Sequence, residues 1–147
     1  MRKLTQNVKI LVLLIIVFVF CDFLISPVVF ETRASALLGN PSSLRWLVVL
    51  FLGLILNIVS LILLFFKPRI ASLIAVLGSI LYLVVTVGDQ LGLVTPIKAP
   101  TLVSIIEVVS FFVLIGVLFF ASRVYRENSM KRLTSVSTGP VNEKHDA

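Results

Sequence analysis

Four long apolar runs, roughly residues 8–30, 44–66, 70–88 and 102–121, constrain this chain more than any other feature. Each is about 19 to 23 residues long, enough to cross a hydrocarbon layer about 30 Å thick at about 1.5 Å per helical residue. The expected fold class is therefore all-α: an integral membrane protein with four transmembrane helices in an up-down antiparallel bundle.

Composition points the same way. Hydrophobic residues make up 59 %, the mean hydropathy is +1.13 and only 14 % of residues are charged, against about 25 % in soluble domains. So little polar surface cannot cover so many Leu, Ile, Val and Phe side chains in water. The length fits one domain, residues 1–133, followed by a tail over 134–147. The lone cysteine, Cys21, excludes an intramolecular disulfide and a cysteine-based zinc cluster. Asn40-Pro41-Ser42 has proline at the forbidden middle position of a glycosylation acceptor.

The net charge of +6 is a topological signal. With both termini in the cytoplasm, ten of the thirteen Lys and Arg residues lie inside, and Arg33, Arg45 and Lys98 lie outside. The positive-inside rule then favours an N-in, C-in protein of the plasma membrane. The cations are divided among several membrane-flanking segments and form no single basic patch, so nucleic acid is not an expected partner. The expected partners are the lipid bilayer and either other membrane subunits or further copies of the chain.

Met1-Arg2-Lys3 and Ala34-Ser35-Ala36 also fit the ends of a secretory signal peptide. The first run is longer than the usual apolar segment of about 7–15 residues and contains Asp22, so a retained first helix is expected. Lys67-Pro68-Arg69 reads as a tight cytoplasmic turn that makes helices 2 and 3 antiparallel neighbours. The first outer loop, about residues 31–43, ends with Ser42 or Ser43 as the expected N-cap of helix 2. Arg45 and Trp46 follow at interface depth. The second outer loop, about 89–100, is apolar enough to lie on the bundle or against a partner. Beyond helix 4, Arg123, Arg126 and the residues to about 133 read as a basic helical extension facing anionic lipid. The tail after it reads as disordered, with His145 as a solvated surface residue.

Small residues mark an expected packing seam. Ala71, Ala75 and Ser79 recur every fourth residue in helix 3, with Gly78 beside them. That spacing lets two helix backbones approach closely in lipid, and the expected partner surface is Gly53, Asn57 and Ser60 of helix 2. Asn57 reads as an interhelical hydrogen-bonding residue. The same stripe also fits a contact between subunits.

Two acids fall within the spans. An ionisable group at membrane depth costs a few kcal/mol and is a functional candidate by default. Asp22 lies about 12 Å below the outer end of its run and Glu107 about 8 Å below the same side. Both therefore belong to one half of the bilayer. Ser26 stands one turn from Asp22, and Ser104 one turn before Glu107, in a stripe that runs Thr101, Ser104, Glu107 and Ser110. Thr86 and Asp89 end helix 3 at similar height. The candidate intramembrane polar site is Asp22, Ser26, Ser104 and Glu107. Each acid has a structural alternative. Ser104-Ile105-Ile106-Glu107 also fits a capping box that starts helix 4 near Ile105. Asp22 also fits a protonated carboxyl, or one bonded to a neighbouring helix or a partner.

No span contains a histidine, and the chain carries no phosphate loop, nucleophile elbow or HExxH motif. No cofactor and no catalytic centre are expected. Three functions remain open. The first is an accessory or structural subunit of a larger membrane complex. The alternative is a small oligomeric transporter or channel for protons, cations or small solutes using Asp22 with Glu107. The third is a membrane enzyme or a lipid- or quinone-binding component.

Overall fold

The computed structural model describes residues 5–39, 41–94 and 100–137, apart from the side chains of 30, 32–38, 42 and 131–137. Met1-Arg2-Lys3, the Ser42 side chain, residues 95–99 of the second loop and the tail from 138, with His145, lie outside the described residues. Among the described residues the chain forms four α-helices and no strand: α1 (Gln6–Leu38), α2 (Pro41–Leu63), α3 (Pro68–Gln90) and α4 (Thr101–Ser137). Each contains a segment long and apolar enough to cross a membrane: Gln6–Val29, Ser43–Leu63, Pro68–Gln90 and Thr101–Met130.

The helix ends depart from the expected boundaries for local reasons. α1 continues through residues 31–38, expected as loop, because Glu31, Arg33, Ala34, Ala36, Leu37 and Leu38 are good helix formers with no glycine or proline among them. α1 ends at Leu38, before Gly39. Pro41 opens α2, where its missing N–H and fixed φ suit the first helical position. Ser43 therefore sits inside α2 and is not its N-cap. α3 likewise starts on Pro68, after the turn in which the Lys67 N–H bonds Leu63 O at 2.7 Å. α4 starts at Thr101, and the Ser104 N–H already bonds Pro100 O at 3.1 Å. That places Ser104 and Glu107 within the helix and removes the capping-box reading. α4 then runs without a break to Ser137, past residue 133.

The helices close into a ring of four contacts: α2 with α3, α1 with α4, α3 with α4, and α1 with α2. The closest is α2 against α3. A Cβ placed on Gly53 would lie 2.9 Å from Gly78 O, and one on Gly78 would lie 2.9 Å from Gly53 O. Without side chains at these two positions the backbones approach to near contact. Hydrogen bonds then tie the seam. Ser60 Oγ donates across it to Ala71 O at 2.9 Å and Ser79 Oγ to Asn57 Oδ1 at 3.3 Å, while Asn57 Nδ2 donates within α2 to Gly53 O at 2.9 Å. Asn57, Ser60, Ala71, Ala75 and Ser79 are fully buried.

This interior inverts the usual pattern of a soluble protein. Glycine, alanine, serine and asparagine occupy the α2–α3 contact, while Phe20, Phe23, Phe66 and Phe112 point outward at 60 %, 75 %, 74 % and 66 % exposure. Such surfaces are at home in lipid, where close packing and hydrogen bonds hold helices together. The larger buried side chains form a column along the bundle. Leu11, Ile15, Leu64, Val117 and Val124 fill the end that carries Lys67 and Arg69. Phe18, Tyr82 and Leu114 fill the middle. Val85 and Val94 lie toward the far end.

Candidate functional site

Beside that middle layer lies a cavity of about 90 Å³, built by all four helices. α1 contributes Asp22 and Ser26, α2 contributes Leu47, Leu50 and Phe51, and α4 contributes Glu107. α3 contributes Tyr82, Val85, Thr86 and Asp89, whose spacing puts them on one helical face. Val94, after α3, completes the lining.

Asp22 is only 6 % exposed. Its Oδ1 accepts a hydrogen bond from the Tyr82 hydroxyl. Tyr82 is held in turn by Phe18, one turn before Asp22, in an edge-to-face contact with centroids 4.7 Å apart at 87°. α1 and α3 thus grip each other through an apolar contact and a polar one on the same tyrosine. Two further hydroxyls line the site, and each uses its proton locally. Ser26 Oγ donates to Asp22 O at 2.8 Å, and Thr86 Oγ1 donates to Tyr82 O at 3.0 Å. Glu107 Oε2 accepts from Gln90 Nε2 at 2.6 Å, which links α4 to the end of α3.

The segment after α3 covers the cavity because of a specific helix ending. The Leu93 N–H bonds Gly88 O at 2.9 Å and the Gly92 N–H bonds Asp89 O at 2.9 Å. Gly92 has φ of 72°, the left-handed conformation that this ending requires and that glycine adopts without strain. The chain turns back and buries Val94 against Val85, and Gly88 leaves room for it at 3.5 Å from where a Cβ would stand. Ser43 Oγ then donates to Val94 O at 2.7 Å, so α2 holds the turn in place. Trp46 packs against the same cluster.

A second, open groove adjoins the cavity. It has a volume of about 290 Å³, and Val87, Leu91, Val108, Phe111 and Phe112 make its wall almost wholly apolar. Thr86 and Glu107 line both spaces. The groove runs between α3 and α4 on the outer surface of the bundle.

Of the four residues proposed from sequence as a polar site, the structure brings Asp22, Ser26 and Glu107 to one cavity. Ser104 does not line it. Asp89 and Thr86, noted only for their height, do line it. Tyr82 was missed, although a tyrosine in mid-run with Thr86 and Asp89 four and seven residues on is a legible stripe. Among the described residues no group of three or more His, Cys, Asp or Glu side chains is placed to hold a metal ion. No lysine, arginine or histidine is among the described residues lining the cavity. The arrangement can therefore hold a proton or receive a positively charged or hydrogen-bond-donating molecule. Comparison with known protein families, with characterised proteins and with solved structures finds no match to this chain.

Proposed function

We propose that this chain is a multi-pass protein of the plasma membrane, an up-down bundle of four antiparallel spans with both termini in the cytoplasm. In this reading it handles protons or a small cationic solute at the cavity around Asp22, as a small transporter or channel without a catalytic centre of its own. The observation that carries it is Asp22 itself, 6 % exposed and lining a cavity together with Asp89 and Glu107. A carboxylate is costly at membrane depth, and Asp22 is the buried one of the three that line this cavity. Charge segregation supports the orientation. Lys9, Lys67, Arg69, Arg123 and Arg126 gather at the end where Asn7 bonds Glu127 and Arg69 bonds Tyr125 at 3.4 Å. Asp22, Asp89 and Glu107 lie toward the other.

The test is flux through the purified protein in liposomes. Asp22→Asn is expected to abolish proton- or cation-coupled flux, and full flux in that variant removes the reading. Reporter domains fused to each terminus are both expected on the cytoplasmic side.

The accessory-subunit role is a second reading. Its support is the breadth of exposed apolar helix surface, including Phe23 at 75 % and Phe66 at 74 %, on which a membrane partner has room to pack. It predicts stoichiometric partners in mild detergent, and a stable, active, isolated protein argues against it.

A further inference from the structure

The hydrogen-bonding polarity of the cavity narrows what it accepts. Each hydroxyl in the lining has one proton, and all three are committed inward: Tyr82 to Asp22 Oδ1, Ser26 to Asp22 O, and Thr86 to Tyr82 O. Only their lone pairs remain to face the space. Ionised carboxylates also accept and do not donate. Asp22 Oδ1 takes the Tyr82 proton, and no described residue donates to its other oxygen. Asp22 therefore presents a buried acceptor to the cavity. The polar part of this site is thus lined by acceptors, and a molecule that brings only acceptors leaves them unmatched.

The apolar groove supplies the other half. It shares Thr86 and Glu107 with the cavity, and beyond Gln90, whose amide is bonded to Glu107, its wall is Val87, Leu91, Val108, Phe111 and Phe112. For a head seated by Asp22, the groove between α3 and α4 is an apolar continuation that shares Thr86 and Glu107 with the cavity. With volumes of about 90 Å³ and 290 Å³, the small compartment suits a compact head and the larger one a chain.

We propose that the site binds an amphiphilic amine: a protonated, N–H-bearing ammonium head in the cavity at Asp22, Tyr82 and Thr86, with an alkyl or aryl tail along the α3–α4 groove. This rests on the cation-binding reading above and sharpens it in two ways. The cation must carry N–H donors, because lone pairs of Tyr82 and Thr86 as well as the Asp22 carboxylate are there to be satisfied. It must also carry an apolar tail.

The experiment is calorimetric titration of the purified full chain in a non-ionic maltoside detergent at neutral pH. The probes are decylammonium, decyltrimethylammonium and methylammonium. Decylammonium is expected to bind at least about tenfold more tightly than the other two, since a charge-assisted hydrogen bond and a buried alkyl chain are each worth at least that factor. Asp22→Asn is expected to weaken it by about tenfold or more, because the amide can still accept from Tyr82 while turning a donor toward the ammonium. Val108→Trp fills the groove from a half-exposed position away from the core. It is expected to weaken decylammonium and leave methylammonium unchanged. Thermal unfolding of each variant in the same detergent reports folding separately. Asp22-dependent binding of decyltrimethylammonium as tight as that of decylammonium overturns the N–H requirement and leaves the cation reading standing. Equal binding of methylammonium, or no effect of Val108→Trp, overturns the tail. Decylammonium binding that is unchanged in Asp22→Asn overturns the proposed site, and absence of any Asp22-dependent cation binding overturns the underlying reading as well.

Discussion

Gly53 and Gly78 offer a sharp test of how the bundle is held together. In an isolated helix Gly→Ala stabilises by about 1 kcal/mol, because alanine loses less backbone entropy on folding. Here the neighbours reverse the sign. A Cβ on Gly53 would stand 2.9 Å from Gly78 O and 3.0 Å from Tyr82 N, and one on Gly78 would stand 2.9 Å from Gly53 O. These neighbours are backbone atoms that move only if a whole helix moves. Relief to the 3.4 Å at which ordinary contact begins requires the seam to open by about half an ångström. An opening of that size forfeits about a quarter of the dispersion energy of the contacts along it. It also stretches the Ser79–Asn57 bond, already 3.3 Å long, out of hydrogen-bonding range. Overpacking of about 1–3 kcal/mol, a lost bond of about 0.6 kcal/mol and the helical gain of about 1 kcal/mol leave each variant about 1–3 kcal/mol less stable. Gly116→Ala is the control. Its Cβ would meet only the tip of the Leu14 side chain, Cδ1 at 3.2 Å and Cδ2 at 3.6 Å, so it is expected to be neutral or stabilising. Reversible unfolding in mixed micelles, followed by the fluorescence of the single tryptophan, Trp46, reads all three. If Gly53→Ala and Gly78→Ala are as stable as Gly116→Ala, the seam is not set by backbone approach and the reasoning fails.

Other predictions concern single hydrogen bonds. A double-mutant cycle on Asn57→Ala and Ser79→Ala is expected to show coupling of about 0.6–1.7 kcal/mol, and coupling near zero would show that their contact carries no energy. Tyr82→Phe keeps the ring against Phe18 but removes the donor to Asp22, so it is expected to cost about 1–3 kcal/mol in the same unfolding assay. Unchanged stability there would mean that the Asp22–Tyr82 bond does not hold α1 to α3. Ser43→Ala releases the Val94 carbonyl from α2. In a Cys21→Ser, Leu93→Cys background it is expected to speed maleimide labelling at position 93 while lowering global stability by no more than about 1 kcal/mol; an unchanged rate would refute the role of Ser43 as the tie.

Much of the helical layout is legible along the chain because its causes are local. Run length limits where helices that cross lipid can lie, and Pro41, Pro68 and Pro100 mark where three of them start. The extension of α1 to Leu38 is legible too, in the helix-forming composition of residues 31–38, although the end of the apolar run points to a loop there. The small-residue spacing in α2 and α3 is equally local, since residues four apart share a helix face. The candidate site was legible only in part. Asp22 and Glu107 stand out by charge, whereas Tyr82 reads as one more aromatic in an apolar run.

The sequence by itself determined the number and rough length of the apolar spans and the α2–α3 seam as a candidate contact. Tertiary structure alone decided which faces of α1 and α4 turn inward. α1 is apolar almost all round, and the short polar stripe of α4 does not say which of its members meets a neighbour, so their orientation comes from packing against the rest of the bundle. That rotation brings Asp22 to Tyr82, sixty residues away in the chain, and puts Glu107 on the cavity while leaving Ser104 off it. It also takes the turn after Gln90, closed through Gly92 and tied by Ser43, to cover the site.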